Sequence, residues 1–169
     1  LDGAALPAGT VVTLEKGTAT ATKNLIAKIT LPAAAVSFDG SYELTVSGIK
    51  DAAGNTMTAK NLVVGLQDTV APVLQTAKIN ADNTITFSFS ENLKNTTFTG
   101  ADADFVVNVN GVDVTGVTVA EAGVANDKDI KLTFTGTNVV GQTVKVSTVA
   151  APAVITDNSA LANKQKGSV

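Results

Sequence analysis

The chain contains no cysteine, no histidine and no tryptophan, and all 12 of its basic residues are lysine. Each absence removes a class of chemistry. Without His and Cys there is no Ser-His-Asp or Cys-His catalysis, no His- or Cys-ligated zinc, no haem, no iron–sulfur cluster and no disulfide. Without Arg there is no bidentate clamp for phosphate or carboxylate. Lysines form no basic stripe and the formal net charge is −3, so nucleic acid is not expected as a partner. Aromatic residues make up 4% of the chain, which leaves few platforms for sugars or bases and requires an aliphatic core. No apolar run approaches the roughly 18 residues of a membrane-spanning helix. What remains is carboxylate and carbonyl chemistry, the donor set of hard cations such as calcium.

What is present is strand pattern. At 169 residues with 44% apolar and 16% charged residues, the chain is too hydrophobic for disorder and long enough for a real core. Ile85, Phe87 and Phe89 alternate with Thr84, Thr86, Ser88 and Ser90. Tyr42, Leu44 and Val46 alternate with Glu43, Thr45 and Ser47, and the same holds for Phe105, Val107 and Val109 and for Ile130, Leu132 and Phe134. A period of two is the signature of half-buried antiparallel strands. Strands are predicted at 10–14, 25–31, 42–49 and 57–66, then at 73–80, 83–91, 104–110, 112–119, 129–136 and 142–149. The Ala-rich piece Pro32 to Val36 is long enough for a helical turn only.

The turns agree. Asn110-Gly111 between two alternating runs predicts a type I′ hairpin. At Gly116 the alternation slips, which predicts a bulge or a strand end. Phe38-Asp39-Gly40-Ser41-Tyr42-Glu43-Leu44 reads Asp-x-Gly-x-Tyr-x-apolar, the pattern of a tyrosine corner, in which the hydroxyl bonds back to upstream backbone; a turn before a half-buried Tyr is the plainer reading. A weak internal repeat superposes Val46 to Met57 on Val154 to Gln165, with Asp51 and Asp157 opening matching loops. Gln67-Asp68-Thr69-Val70-Ala71-Pro72 reads as a linker, Pro72 marking a new strand start. The expected organisation is therefore a first domain over 1–67, a linker over 68–72 and a second domain over 73–169. A sandwich needs about seven strands and about 100 residues. The first domain is thus expected to be the C-terminal part of one, and the last strand of the second to be incomplete. The rival is one larger β-domain. The start at Leu1, without Met or a signal peptide, fits a segment of something longer.

Ile49-Lys50-Asp51-Ala52-Ala53-Gly54-Asn55, Asp68-Thr69-Val70-Ala71-Pro72 and Thr86-Phe87-Ser88-Phe89-Ser90-Glu91-Asn92-Leu93 together resemble the tandem bacterial Ig-like repeats of surface-layer (S-layer) proteins of Gram-positive bacilli. In that family a Lys-Asp-x-x-Gly-Asn turn closes a domain and the next opens after Asp-x-x-Ala-Pro. These short motifs also occur in adhesins and in accessory domains of secreted enzymes. The second domain departs from the pattern: Asn158-Ser159-Ala160-Leu161 replaces the Gly-Asn turn, and no Tyr corner precedes its last strands. The resemblance implies an all-β fold of tandem immunoglobulin-like sandwiches, a place on the cell surface or cell wall outside the cell, and neighbouring copies and adjacent domains of the parent chain as partners. It implies a structural segment that self-assembles into a two-dimensional lattice. The alternative is an Ig-like stalk or ligand-binding module of an adhesin or secreted enzyme.

No motif carries catalysis, so no enzyme activity is expected. Calcium is the one ligand with an argument. In a sandwich the loop with Asp39, the linker with Asp68, the loop with Glu91 and Asn92, and the closing loop with Asp157 and Asn158 would meet at the joint, as in cadherin-like chains. Calcium takes six to eight oxygens, and these carboxylates with nearby carbonyls are the candidate set. Each also has a plain reading: Asp39 serving the corner, Asp68 capping a turn, Glu91 solvated. Asp127 and Asp129 are a lesser candidate pair. Asn95-Thr96-Thr97 fits a glycosylation sequon, of little meaning in a bacterial protein.

Overall fold

The computed structural model describes residues 1–16, 24–94 and 98–167; the sequon at 95–97 lies outside them. The chain is all-β. Among the described residues there are eleven strands and a single 3-10 turn, Ala101–Asp104. The chain divides into two units, Leu1–Val70 and Ala71–Val169. Among the described residues no helix is long and apolar enough to cross a membrane.

The first unit holds β1 (Val11–Lys16), β2 (Asn24–Thr30), β3 (Gly40–Val46) and β4 (Lys60–Leu66). β1 pairs antiparallel with β2, and β3 with β4, in two separate ladders. Several of its large apolar residues, Val11, Val12, Leu14, Ile26, Leu62 and Val63, face solvent, while Ile29, Leu31, Leu44, Val64 and Leu66 are half-buried. Val36 and Tyr42 are buried. Tyr42 stacks on Phe38 with ring centroids 5.1 Å apart, and its hydroxyl donates to the Phe38 carbonyl oxygen at 3.0 Å. That backward bond is the tyrosine corner which the Asp-x-Gly-x-Tyr spacing predicts.

The second unit holds β5 (Leu74–Ile79), β6 (Thr84–Phe89), β7 (Phe105–Val109), β8 (Val112–Asp113), β9 (Val117–Glu121), β10 (Asp129–Phe134) and β11 (Val144–Thr148). They form a four-stranded sheet in the order β5-β6-β10-β9 and a three-stranded sheet in the order β11-β7-β8, with antiparallel neighbours throughout. Two sheets are needed because each has one apolar face to bury. β6 supplies Ile85, Phe87 and Phe89, β10 supplies Ile130, Leu132 and Phe134, and β7 supplies Phe105, Val107 and Val109. These alternating triplets are all buried, and Leu93, Val139 and Ile155 complete the core from the loops. Phe87 of one sheet meets Phe105 of the other, ring centroids 5.0 Å apart and tilted by 58°. Each such side chain contributes roughly 1.5–3 kcal/mol by leaving water.

The Asn110-Gly111 hairpin forms as expected. Both residues have positive φ, 53° and 90°, and Val109 pairs with Val112 across the two-residue loop. The expectation of one strand over 112–119 is corrected. Val112–Asp113 stays beside β7, whereas Val117–Glu121 crosses to the other sheet and pairs with β10. The switch occurs at Gly116, whose φ of 74° is open to glycine without strain. The predicted strand at 104–110 begins at Phe105, because Ala101–Asp104 are wound into the 3-10 turn.

Candidate functional site

The chemistry-bearing side chains of this chain are carboxylates, and the fold uses them mainly to hold loops. Asp51 opens the loop before β4. Its Oδ1 accepts the amides of Ala53 and Asn55, both at 2.9 Å, and its Oδ2 accepts the Asn55 side-chain amide at 2.8 Å. The Asp51 amide in turn donates to the Asn55 carbonyl at 2.9 Å. The Asn55 bonds hold the Asp51 carboxyl below its ordinary range, because they favour the charged form.

Asp157 does the same in the second unit. Its Oδ1 accepts the Asn163 amide at 2.8 Å and the Ser159 hydroxyl at 2.7 Å, and its Oδ2 accepts the Asn163 side-chain amide at 2.8 Å. The Asp157 amide donates to the Asn163 carbonyl at 3.0 Å. Flanking rungs match as well. Lys50 bridges Thr56, and Thr156 bridges Lys164. Met57 donates to Ile49 at 2.8 Å, and Gln165 to Ile155 at 2.9 Å. The two closing loops are one device, an Asp–Asn clamp, with two more residues enclosed in the second copy. Replacement of the Gly-Asn turn by Asn158-Ser159-Ala160-Leu161 lengthens the loop and leaves the clamp intact.

The four candidate calcium ligands fall two to each unit. In the first, the exposed Asp39 Oδ1 accepts the Asp68 amide at 2.7 Å, and the buried Asp68 Oδ1 accepts the Val70 amide at 2.8 Å. Thr69 donates to the Val36 carbonyl at 2.9 Å. Asp39 thus ties the turn before β3 to the segment after β4. In the second, Glu91 and Asp157 have carboxylate oxygens within 4.8 Å of one another. Their segments are joined by the Leu93–Asp157 bridge and by the Asn158 amide on the Asn92 carbonyl at 3.0 Å. Of the lesser pair, Asp127 caps its own turn, accepting the Val124 amide at 3.2 Å and the Asp129 amide at 2.8 Å. That is a loop-holding arrangement of the kind Asp supplies in turns.

Sequence reasoning missed Asp104. It is 2% exposed. Its Oδ1 accepts the Ala153 amide at 2.7 Å, and its Oδ2 accepts those of Val154 and Ile155 at 2.9 and 2.8 Å. A carboxylate with three amide donors replaces the water it loses on burial. It fixes the segment between β11 and the Asp157 clamp to the start of β7. Ala-Asp-Ala-Asp reads as a polar loop, and the partners lie some fifty residues on, so no local pattern announces the contact.

Comparison with known families adds one match. Residues 67–151 fit the family described as "Putative flagellar system-associated repeat", the SWM repeat. No curated protein and no solved structure matches the chain. The match runs through all seven strands of the second unit and ends before the Asp157 clamp. Covering half of the sequence, it establishes that the chain belongs to the SWM repeat family.

Proposed function

We propose that the chain is a structural segment of a bacterial cell-surface protein, built of Ig-like sandwich repeats and acting by self-assembly into a two-dimensional lattice of the S-layer kind. The observation that carries the reading is the Asp–Asn clamp present in both units with the same flanking rungs. One design used twice in tandem is what a repeat array requires. Family membership supports the coarser half of the reading, a repeat module. The buried carboxylates accept backbone amides, which is structural work, and the proposal assigns no catalysis. Its partners are neighbouring copies and adjacent repeats outside the cell. Calcium at Asp39, Asp68, Glu91 and Asp157 belongs to the proposal as its one ligand.

The description of the family favours a second reading, a repeat in a flagellum-associated protein. A stalk or binding module of an adhesin has less support. Aromatic residues, the usual platforms for sugars, make up only 4% of the chain. Immunogold electron microscopy of cells separates these readings. Label on a periodic surface array supports the lattice. Label along flagella, or in the sheared flagellar fraction, moves the repeat to that system. Label in the medium alone removes both.

A further inference from the structure

The hairpin between β7 and β8 turns on a chemically labile pair. A type I′ turn needs two residues at positive φ, which selects Asn-Gly. The same pair is the one most open to deamidation. Glycine has no side chain to shield its amide nitrogen, so that nitrogen can approach the carboxamide carbon of the asparagine before it. Of the asparagines in the sequence only Asn110 precedes glycine. Asn110 and Gly111 are both exposed. A Cβ placed on Gly111 would meet no atom within 4 Å, so solvent reaches the reacting groups.

Hydrogen bonds hold the reaction back. The Gly111 amide, which is the nucleophile, donates to Asn108 Oδ1 at 2.8 Å. Asn108 is itself held across the hairpin, its Nδ2 donating to Asp113 Oδ1 at 2.9 Å. The Asn110 carboxamide is gripped at both ends by the segment leading into β11. Its Nδ2 donates to Gln142 Oε1 at 2.7 Å, and its Oδ1 accepts the Thr143 amide at 3.2 Å. The Asn110 amide donates to the Thr143 carbonyl at 2.9 Å, so the backbone behind the side chain is fixed as well. To place its carbon on the Gly111 nitrogen, the carboxamide must swing away from Gln142 and Thr143. The Gly111 N–H must also leave Asn108.

We propose that Asn110 is a modification site: it deamidates when this end of the hairpin opens, and it is held unreacted while Gln142 and Asn108 keep their bonds. In the step, the Gly111 nitrogen gives its proton to hydroxide and bonds to Asn110 Cγ. The Cγ–Nδ2 bond breaks, Nδ2 takes a proton from water and leaves as ammonia, and a succinimide ring remains. Water then opens either carbonyl of the ring. One product is aspartate, which a type I′ turn accepts. The other is isoaspartate, whose backbone is one carbon longer and cannot keep both the Val109–Val112 rung and the Asn110–Thr143 bonds. Loss of ammonia makes the change one-way. The site thus records the time that the β7–β8 turn has spent detached from the segment before β11. The inference is independent of the lattice reading.

The test incubates the whole chain in warm, mildly alkaline buffer beside a synthetic peptide with the sequence of residues 106–115. Peptide mapping by mass spectrometry follows conversion at Asn110 and separates aspartate from isoaspartate by retention. The peptide should convert at least about tenfold faster than the folded chain, the effect of even a modest cost of local opening. Gln142→Ala frees Nδ2 and should speed conversion in the folded chain roughly three- to tenfold, the worth of one ordinary hydrogen bond. Gln142 is exposed, so circular dichroism should stay unchanged. Gln142→Glu keeps an acceptor for Nδ2 and should react no faster than the parent. Equal rates in peptide and folded chain, no acceleration in Gln142→Ala, or equal acceleration in Gln142→Ala and Gln142→Glu overturns the proposal. Should Gln142→Ala not fold, the peptide against the parent chain still decides.

Discussion

Asn163 binds Asp157 at both ends of the carboxylate, its backbone amide on Oδ1 and its side-chain amide on Oδ2, each at 2.8 Å. Asp157 is 1% exposed, so these bonds are screened from water and each is charge-assisted. Asp157→Ala would strand the Ser159 and Asn163 amides and should lower stability by about 2–3 kcal/mol. Asn163→Ala removes only the side-chain bonds, to Asp157 and to Ser159, and should cost less. The double variant should fall short of the sum, since the two residues share one interaction. Denaturant unfolding of the four proteins measures this. A loss within about 0.5 kcal/mol for Asp157→Ala, the range of ordinary surface changes, would mean the loop holds without the clamp.

Tyr42 is the single tyrosine, in a chain without tryptophan, so phenolate absorbance reports on it alone. Burial, and then the nearby charges of Asp2, Asp68 and Asp39, push its hydroxyl above the ordinary 10.0. The neutral form is the one the folded state favours. Its stabilising contribution is therefore complete below pH about 10 and is lost as pH rises through the raised folded value. The folded chain should titrate at higher pH than the same chain in denaturant. Tyr42→Phe should cost about 0.5–1.5 kcal/mol, the net worth of the bond to Phe38. Coincident titration curves would place the ring in water.

Much of the fold is legible in the sequence because its strands are half-buried and alternate. The triplets at 85–89, 105–109 and 130–134 name the core of the second unit directly. The tyrosine corner and the type I′ turn are legible because each depends on a few adjacent residues. What escapes is non-local. Gly116 marks a slip in alternation, but whether the chain bulges or changes sheets depends on which partner wins Val117 to Glu121. Asp104 draws its donors from a distant loop. The Asp–Asn clamp is half visible: Asp51 and Asp157 align, while the differing loop lengths hide that Asn163, not a residue near 161, answers to Asn55.

Asp104→Asn probes a contact that side-chain shape alone does not explain. Asparagine keeps one oxygen, which can serve Val154 and Ile155, but it turns an NH₂ toward the Ala153 amide, donor against donor. At a site this buried the change should cost about 1.5–3 kcal/mol. Increased exchange of the Ala153, Val154 and Ile155 amides should accompany it. Unchanged exchange at those three amides would show that the loop is held by Ile155 packing instead.

Calcium is tested on the intact chain. A ligand that binds the folded state alone raises the melting temperature with concentration, and extracellular modules bind calcium at roughly 10⁻⁴–10⁻³ M. The melting temperature should climb through the millimolar range, magnesium should act weakly, and chelator should reverse the effect. Glu91→Gln, which keeps the side-chain shape, should abolish the rise. A flat response in the parent chain removes calcium from the proposal.

Gln165 occupies the position that Met57 holds in the first unit, one residue past the rung after the clamp. It is 3% exposed, and neither its Nε2 nor its Oε1 has a hydrogen-bond partner among the described residues. An unpaired buried amide costs on the order of 1–3 kcal/mol, and an apolar group of similar shape avoids that cost. Methionine has nearly the same length and flexibility, so it fills the space with little strain. Gln165→Met should therefore raise stability by about 1–2 kcal/mol, the reverse of the usual sign for a core substitution. The denaturant midpoint should move up with the slope unchanged, since the surface exposed on unfolding stays the same. A destabilised variant would show that the Gln165 amide is satisfied, by an ordered water for example, and that the fold relies on it.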